Sequence, residues 1–348
     1  MSDGVEYVRQ RTPLRGRIDL HEYDHAWPTL YEREEERLRR VLGERVVRVA
    51  HAGSTSVPGL PAKPIVDIVL EVPDTSDEGA YVPALEAEGY LLTIREPDWF
   101  EHRLFKGPDT EINLHVFSRA CSEVDRMLVF RDWLRTYAPD RELYLQAKRE
   151  LGRRRWEYVQ DYADAKSGVV ADVMRRALVG AAARENAEWC DLHADAGELG
   201  DGFWFSRVRT PPFYPDAVTL RPGVAVADVL AEIDTAPGCG IKDSFDDLEP
   251  IGFRRLFRAL WLVGRRETLP EPAGAVAPER GDVAILVGLG TAHRSTHVIG
   301  LSNLAPDTAW ADAAATACTV WGHGTVVGYE ETVPEGAEGV GALSVWVT

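Results

Sequence analysis

The sequence predicts a mixed α/β fold of the α+β kind, built as two domains, and three observations carry that prediction. At 348 residues the chain exceeds one typical domain, and each half is long enough to bury a core. Hydrophobic periodicities follow the order helix–strand–loop–strand–strands–helices, which implies a small mixed sheet backed by a helical segment. The charge balance also shifts: residues 1–180 carry 27 Lys/Arg against 32 Asp/Glu, whereas residues 181–348 carry 12 against 24. The boundary is expected near 183, where ARENAEWCDLHADAGELGDG turns acidic and glycine appears, giving domains 1–183 and 184–348.

Taken in order, residues 1–20 are polar and read as a loose lead-in. Residues 26–43 place Trp27, Leu30, Tyr31, Leu38 and Val41 near one helical face, with charges around the other. Residues 46–50 (VVRVA) read as a strand, and HAGSTSVPGLPAKP as a Gly/Ser/Pro loop. Residues 65–72 (IVDIVLEV) read as a buried strand. PDTSDEG reads as a surface turn and AYVPALEAEGY as a short helix. Leu91–Arg95 and Arg103–Phe105 are strand candidates around an exposed Asp-Trp turn. Residues 111–117 (EINLHVF) alternate, with Ile112, Leu114 and Val116 on one face and Glu111, Asn113, His115 and Phe117 on the other. From Ser122 to about Ala183 the pattern is helical, broken at Ala138-Pro139. Beyond the boundary, DAVTL, Val283–Val287, HVIGLSN, TVVGYE and LSVWV are strand candidates, VADVLAEID and WADAAATACTVW helices, and residues 264–280 a Pro/Ala/Gly loop. Lys242-Asp243-Ser244 reads as a helix N-cap by Asp243 or Ser244, since no base is spaced to activate the serine.

The net charge of −17 disfavours nucleic acid as the main partner, most strongly for the second half. Four well-separated cysteines, Cys121, Cys190, Cys239 and Cys318, fit reduced and buried thiols better than a disulfide framework or a zinc site. No segment approaches the ~18 apolar residues of a membrane span, and the N-terminus has no apolar leader. A cytoplasmic location is the expectation; oligomeric state is not legible.

The segment 51–67, HAGSTSVPGLPAKPIVD, carries the chemistry. A Gly-Ser pair directly after a strand can turn its amides and hydroxyl toward phosphate oxygens. An Asp on the next strand can hold Mg²⁺ on a triphosphate. Ser54 either satisfies its own loop or touches phosphate. Asp67, costly to bury alone, either serves a site or pairs with Lys63 or an arginine. Arg131 and Arg135, four apart on a helix, face one way, toward phosphate or toward solvent.

The whole string GSTSVPGLPAKPIVDI resembles the signature of the GrpB family, a branch of the nucleotidyltransferase superfamily. The resemblance continues through HRLFK (102–106), NLHV (113–116), FRDWLR (130–135), YLQAKRE (144–150) and YVQDYADAK (158–166), covering about residues 20–180. It implies a nucleotidyltransferase-like mixed sheet with a helical segment. Carried over position by position, it points to a pocket of Gly53, Ser54, Lys63, Asp67, His102, Arg103, His115, Arg131 and Lys166. The activity implied is Mg²⁺-dependent transfer of a nucleoside monophosphate from an NTP to a small-molecule or protein hydroxyl or amine. Gly53, Ser54, His102, Arg103, Arg131 and Lys166 would then bind the nucleotide. Asp67 would ligate the metal, His115 act as base and Lys63 offset charge. One departure stands out: the superfamily's usual second carboxylate, two residues after the first, is here Val69. A non-catalytic nucleotide- or metabolite-binding protein is therefore the competing expectation. Residues 299–348 resemble the end of acetyltransferases of the GNAT superfamily, without the glycine-rich pyrophosphate turn. A GNAT-like but degenerate second domain is expected, with acyl transfer a further alternative.

Overall fold

The structure is a computed structural model that describes residues 4–10, 13–272, 274–276, 281–305 and 308–348. The chain divides into two compact units on either side of Met174. That division falls inside one continuous helix. The acidic, glycine-containing stretch read as the boundary marks the end of this helix instead.

The first unit contains strands β1 (Glu6–Tyr7), β2 (Arg48–Ala52), β3 (Val66–Val72), β4 (Leu91–Glu96), β5 (His102–Lys106) and β6 (Ile112–Ser118). Its helices are α1 (Trp27–Leu42), α2 (Val82–Ala87), α3 (Ser122–Thr136), α4 (Ala138–Gly152), α5 (Val159–Ala165) and the start of α6 (Ser167–Asp191). The sheet order is β1-β4-β5-β6-β3-β2, with β3 and β6 parallel and every other pair antiparallel. This is the mixed sheet the sequence predicts, and β3 lies inside it, between β6 and β2, as its largely buried apolar run requires. On one face Val66, Ile68, Leu70 and Val72 join Trp27, Leu38, Leu42, Tyr81, Leu85 and Leu114 in the main core. The charged ring expected around α1 is broken at Glu34, which is fully buried and accepts a hydrogen bond from the Tyr90 hydroxyl at 2.6 Å.

The other face of β3 divides. Asp67 opens into a cavity, whereas Val69 packs with Ala52, Phe117, Cys121, Val124 and Leu128 beneath α3. Phe117, read from alternation as part of a polar face, is fully buried there, because α3 covers that end of β6.

The lead-in is not loose where it is described. Gly16 bridges to Trp156, His21 bridges to Ala62, and Ile18 is buried with Leu151 and Tyr162. Apolar Ile18 and Leu20 give this segment a place to dock that its polar average conceals. Residues 1–3 and 11–12 lie outside the described residues.

The second unit holds the rest of α6 and the strands β7 (Gly197–Leu199), β8 (Phe203–Ser206), β9 (Ala217–Thr219), β10 (Gly240–Asp243), β11 (Arg254–Arg265), β12 (Val283–Leu286), β13 (Gly290–Arg294), β14 (Ile299–Ser302), β15 (Thr325–Glu330) and β16 (Glu338–Val347). Helices α7 (Val226–Glu232) and α8 (Trp310–Ala317) complete it. All ten strands form one sheet, ordered β12-β13-β14-β15-β11-β16-β10-β9-β8-β7, with β14·β15 and β9·β10 parallel. Two cores flank it, one built on α8 and one on α7. Helix α6 lies against β14 at Gly300, where a Cβ would meet the Glu185 carboxylate at 1.8 Å. The central strand β11 escaped sequence reading, since RRLFRALWLVGR mixes arginines with its apolar run. Asp243 ends a strand rather than capping a helix: its carboxylate accepts the amides of Phe245 and Leu248 in a turn. Of the loop expected over 264–280, residues 273 and 277–280 lie outside the described residues, as does Pro306 of the GNAT-like stretch.

The four cysteines are buried, and none of them forms a disulfide among the described residues. Among the described residues, no helix is long and apolar enough to cross a membrane.

Candidate functional site

The site begins where β2 ends. Gly53 has φ +64°, and a Cβ on it would fall 2.1 Å from the Asp67 carboxylate, so only glycine lets the loop rest on that acid. A single 3-10 turn follows over Ser54–Ser56, and three prolines carry the chain to Lys63 and β3.

This loop is tied down from outside. Arg131 donates to the His51 carbonyl at 2.9 Å, and Arg135 donates twice to the Ser56 carbonyl, at 2.9 and 2.8 Å. Lys148 donates to the Pro61 carbonyl at 2.6 Å. His51 bonds to the Thr55 hydroxyl at 3.0 Å and stacks on Tyr31 with ring centroids 5.0 Å apart. Burial, with help from the two arginines and against the pull of Asp67, pushes His51 down to about 4, so its ring is neutral at pH 7.

Beneath the loop lies a cavity of about 140 Å³ lined by Gly53, Ser54, Lys63, Asp67, Asn113, Tyr144, Lys148, Tyr162 and Lys166 among others. Three lysines therefore face one carboxylate. Lys106 stands behind them and donates to the Asn113 side-chain Oδ1, while Asn113 Nδ2 donates to Asp67 Oδ1 at 2.7 Å. The Lys166 ammonium rests 4.7 Å from the centre of the Tyr162 ring, and that of Lys63 at 5.8 Å. Burial pulls Lys63 down despite the attraction of Asp67, with Lys166 and Lys106 adding to the fall. Lys148 drops to about 7, through burial first and the neighbouring Lys166 second. Burial works to raise Asp67, but His115, Asn113 and Lys63 outweigh it and hold the carboxyl below its ordinary range. Among the described residues, the buried Tyr162 hydroxyl has no hydrogen-bond partner.

Behind Asp67 runs a chain of proton carriers. His115 Nε2 lies 3.7 Å from Asp67 Oδ1, His115 Nδ1 lies 3.1 Å from His102 Nε2, and His102 Nδ1 lies 2.7 Å from Glu96 Oε2. His102 is pushed down to about 4, mainly by burial and against the pull of Glu96. A neutral His102 that donates to Glu96 must accept from His115 Nδ1–H, which leaves His115 Nε2 as the end facing Asp67.

The cavity thus gathers Gly53, Ser54, Lys63, Asp67 and Lys166, and His115 adjoins it through Asp67. His102 sits one step further back. Arg103 does not reach it: the guanidinium is buried against Glu78 at 2.7 Å and the Glu101 carbonyl at 2.7 Å. Nor does Arg131, whose bonds to His51 and Asp132 put it in a separate cleft with Tyr31 and Arg135. Its alignment with Arg135 on one face of α3 is as the spacing predicts, but that face grips loop carbonyls. Sequence reasoning missed Lys148, Tyr144 and Tyr162. The available signal was a Tyr-x-x-x-Lys spacing that occurs twice, at 144–148 and 162–166, and sets each ring beside an ammonium one turn on.

The donor set does not fit a resident Mg²⁺. Such an ion takes oxygen ligands, commonly one or two carboxylates beside substrate phosphates. Here a lone Asp67 is surrounded by ammonium groups, Val69 is sealed, and Glu71 is bound to Arg48 at 2.6 Å and to the Cys121 amide. Among the described residues, no group of three or more His, Cys, Asp or Glu is arranged to hold a metal.

Comparison with known proteins gives this site its family. Residues 17–176 match the family model described as GrpB protein. A UPF0157 protein of Halalkalibacterium halodurans is 59% identical over 170 residues, spanning 49% of this chain and 87% of that protein. The chain belongs to the GrpB (UPF0157) family. A UPF0157 protein of Streptomyces coelicolor is 47% identical over 167 residues, 48% of this chain and 87% of that one. A protein named dephospho-CoA kinase, from Mycolicibacterium paratuberculosis, is 28% identical over 193 residues, 48% of this chain and 47% of its own length. Among solved structures, GrpB from Enterococcus faecalis shares 28% identity over 46% of this chain and 96% of that one, with a TM-score of 0.41.

Proposed function

We propose that the first unit binds the phosphate groups of a nucleotide, with an NTP the expected form, in the cavity beneath the Gly53–Ser54 loop. The observation that carries this reading is the excess of cations: Lys63, Lys148 and Lys166 line a small cavity against the single carboxylate of Asp67. Their mutual repulsion and desolvation are costs that an entering polyanion reverses. The unpartnered Tyr162 hydroxyl adds a donor suited to a phosphate oxygen. The likeness to proteins named dephospho-CoA kinases, over about half of each, is in keeping with a phosphate-bearing ligand.

The second reading is nucleotidyl transfer, favoured by the Glu96–His102–His115–Asp67 chain. In it an acceptor oxygen or nitrogen bonds to the α-phosphorus, the bond to the bridging oxygen breaks, and pyrophosphate leaves. The acceptor's proton passes to His115 Nε2, and the lysines stabilise the charge that develops on the phosphates. Magnesium enters only as an ion the nucleotide carries in. For the second unit, the GNAT-like resemblance is supported by the parallel β14·β15 pair with α8 between them in sequence, and we assign it no acyl transfer.

Thermal-shift titration with ATP, GTP, CTP, UTP and pyrophosphate, each with and without Mg²⁺, tests the binding reading. A ligand at 100 times its Kd should stabilise by about 2.7 kcal/mol. No shift with any of them would sink it. Pyrophosphate release in the same mixtures separates transfer from binding alone.

A further inference from the structure

The second unit contains a cavity of about 530 Å³, in the range of small-molecule sites. It lies outside the family match, which ends at residue 176. Its walls include Trp189, Tyr214, Trp310 and Tyr329, and its polar contributors include Lys242 and Asn186.

Lys242 is the unusual member. It lies on β10, between Val218 of β9 and Val345 of β16, and only 4% of the residue is exposed. Its ammonium sits 4.0 Å from the centre of the Tyr329 ring and 5.8 Å from that of Trp261. Among the described residues, no carboxylate lies within 4.0 Å of it. Glu185, a buried acid that Lys242 attracts, is already engaged with His293 Nδ1 at 3.1 Å. Ring faces attract a cation but carry no countercharge, which leaves the Lys242 side chain able to receive an anion in the cavity. Asn186 adds a second unmet demand, since its side-chain oxygen is buried and, among the described residues, no donor meets it.

We propose that this cavity is a binding site for a small organic anion with a flat, unsaturated body and an N–H or O–H donor. The anionic group pairs with Lys242, the donor meets the Asn186 oxygen, and the body packs among the aromatic walls. The anion is a carboxylate or a phosphate ester, both of which satisfy an ammonium. The proposal is independent of the lysine cavity in the first unit.

Calorimetry on the full chain tests the assignment, with Lys242→Met assigning the signal to this cavity rather than to the first unit. The probes are 4-hydroxyphenylacetate, indole-3-acetate and phenyl phosphate, with tyramine as a cation of matching shape. At least one anion should bind with a Kd below about 1 mM and quench tryptophan emission, while tyramine binds at least about tenfold more weakly. Lys242→Met should weaken the anion at least about tenfold. Asn186→Leu should weaken 4-hydroxyphenylacetate more than phenylacetate, which has no donor beyond its acid. Tighter phenyl phosphate identifies the site as one for phosphate esters, and tighter carboxylates as one for organic acids; both support the proposal. Equal binding of tyramine, no anion binding below about 10 mM, or unchanged affinity in a folded Lys242→Met would overturn it. If that variant fails to fold, the discrimination between tyramine and the anions on the native chain decides alone.

Discussion

Asp67 and Val69 point from the same face of β3, yet Asp67 opens into the lysine-lined cavity and Val69 is sealed beneath α3 with Phe117, Val124 and Leu128. A carboxylate at 69 would therefore enter a hydrocarbon cluster. We expect Val69→Asp to destabilise the first unit by about 3–5 kcal/mol, the usual cost of an uncompensated buried charge. It should not create pyrophosphate release. Urea unfolding measures the first outcome and a pyrophosphate assay the second. A variant with native stability and raised turnover would mean that the strand face opens to the substrate.

Replacing Asp67 by Asn separates the two functional readings. Asn113 and the loop at Gly53 contact a group of the same shape, so the fold should hold. Removing the only carboxylate of the cavity should strengthen Mg²⁺-free ATP or pyrophosphate binding by about tenfold, the equivalent of one pKa unit of charge interaction. It should also abolish any Mg²⁺ dependence. If Asp67→Asn instead weakens nucleotide binding and ends a measurable pyrophosphate release, transfer becomes the leading function.

Lys148 gives the site a pH dependence whose sign is fixed. Its folded pKa, about 7, lies below the value of about 10.4 in an unfolded chain. Between about pH 7 and 10 the unfolded state binds more protons, so stability of the ligand-free protein rises with pH in that window. Binding runs the other way, because a phosphate needs the ammonium form. ATP affinity should fall by up to about tenfold per unit between pH 7.5 and 9, with proton uptake on binding. Calorimetry in buffers of different ionisation enthalpy reads that uptake directly. A flat affinity profile without uptake would exclude Lys148 from the phosphate contact.

Much of the first unit was legible because its strands declare themselves: β3 is a nearly unbroken apolar run and β6 alternates. What sequence could not give is which part of a face is covered. Phe117 and Asn113 occupy equivalent positions by period, and only the course of α3 makes one core and the other cavity. Arg131 and Arg103 illustrate the same limit. An arginine beside a Gly-Ser loop suggests an anion, but here the loop's own carbonyls and Glu78 are the groups it meets. In the second unit β11 was hidden by its arginines, and the value of Lys242 depends on Tyr329, 87 residues away in sequence and 4.0 Å away in space.

Acetyl-CoA should not bind the second unit more tightly than about 1 mM. A pyrophosphate site at a helix start needs free amides that the chain can bring close to the anion. The approach to α8 runs from Leu301 to its N-cap, Ala309, without a glycine. Residues 181–348 also carry 12 basic against 24 acidic side chains, which opposes a polyanion. Micromolar binding by calorimetry would make acyl transfer the leading function of the second unit.

Arg131 braces the loop from outside, whereas Lys166 lines the cavity proposed to take phosphate. Arg131 is tied to the His51 carbonyl and to Asp132 on both guanidinium edges, and its side chain is only 12% exposed. Arg131→Met removes a charged donor from a backbone carbonyl that has no substitute close by, and should cost about 1.5–3 kcal/mol of stability. ATP affinity, measured where the variant is still folded, should change by less than about twofold, because the Arg131 side chain lines a different cleft. Lys166→Met is the converse case. Its ammonium lies over Tyr162 and repels Lys63 and Lys148, so its loss relieves like-charge crowding and should leave stability equal or higher. The same change removes the phosphate contact proposed for Lys166 and should weaken ATP at least about tenfold. Paired melting curves and titrations on the two variants read all four quantities. Should Arg131→Met lose nucleotide while Lys166→Met keeps it, the phosphate site lies on the outer side of the loop, in the cleft beside His51, and the cavity assigned to it serves another end.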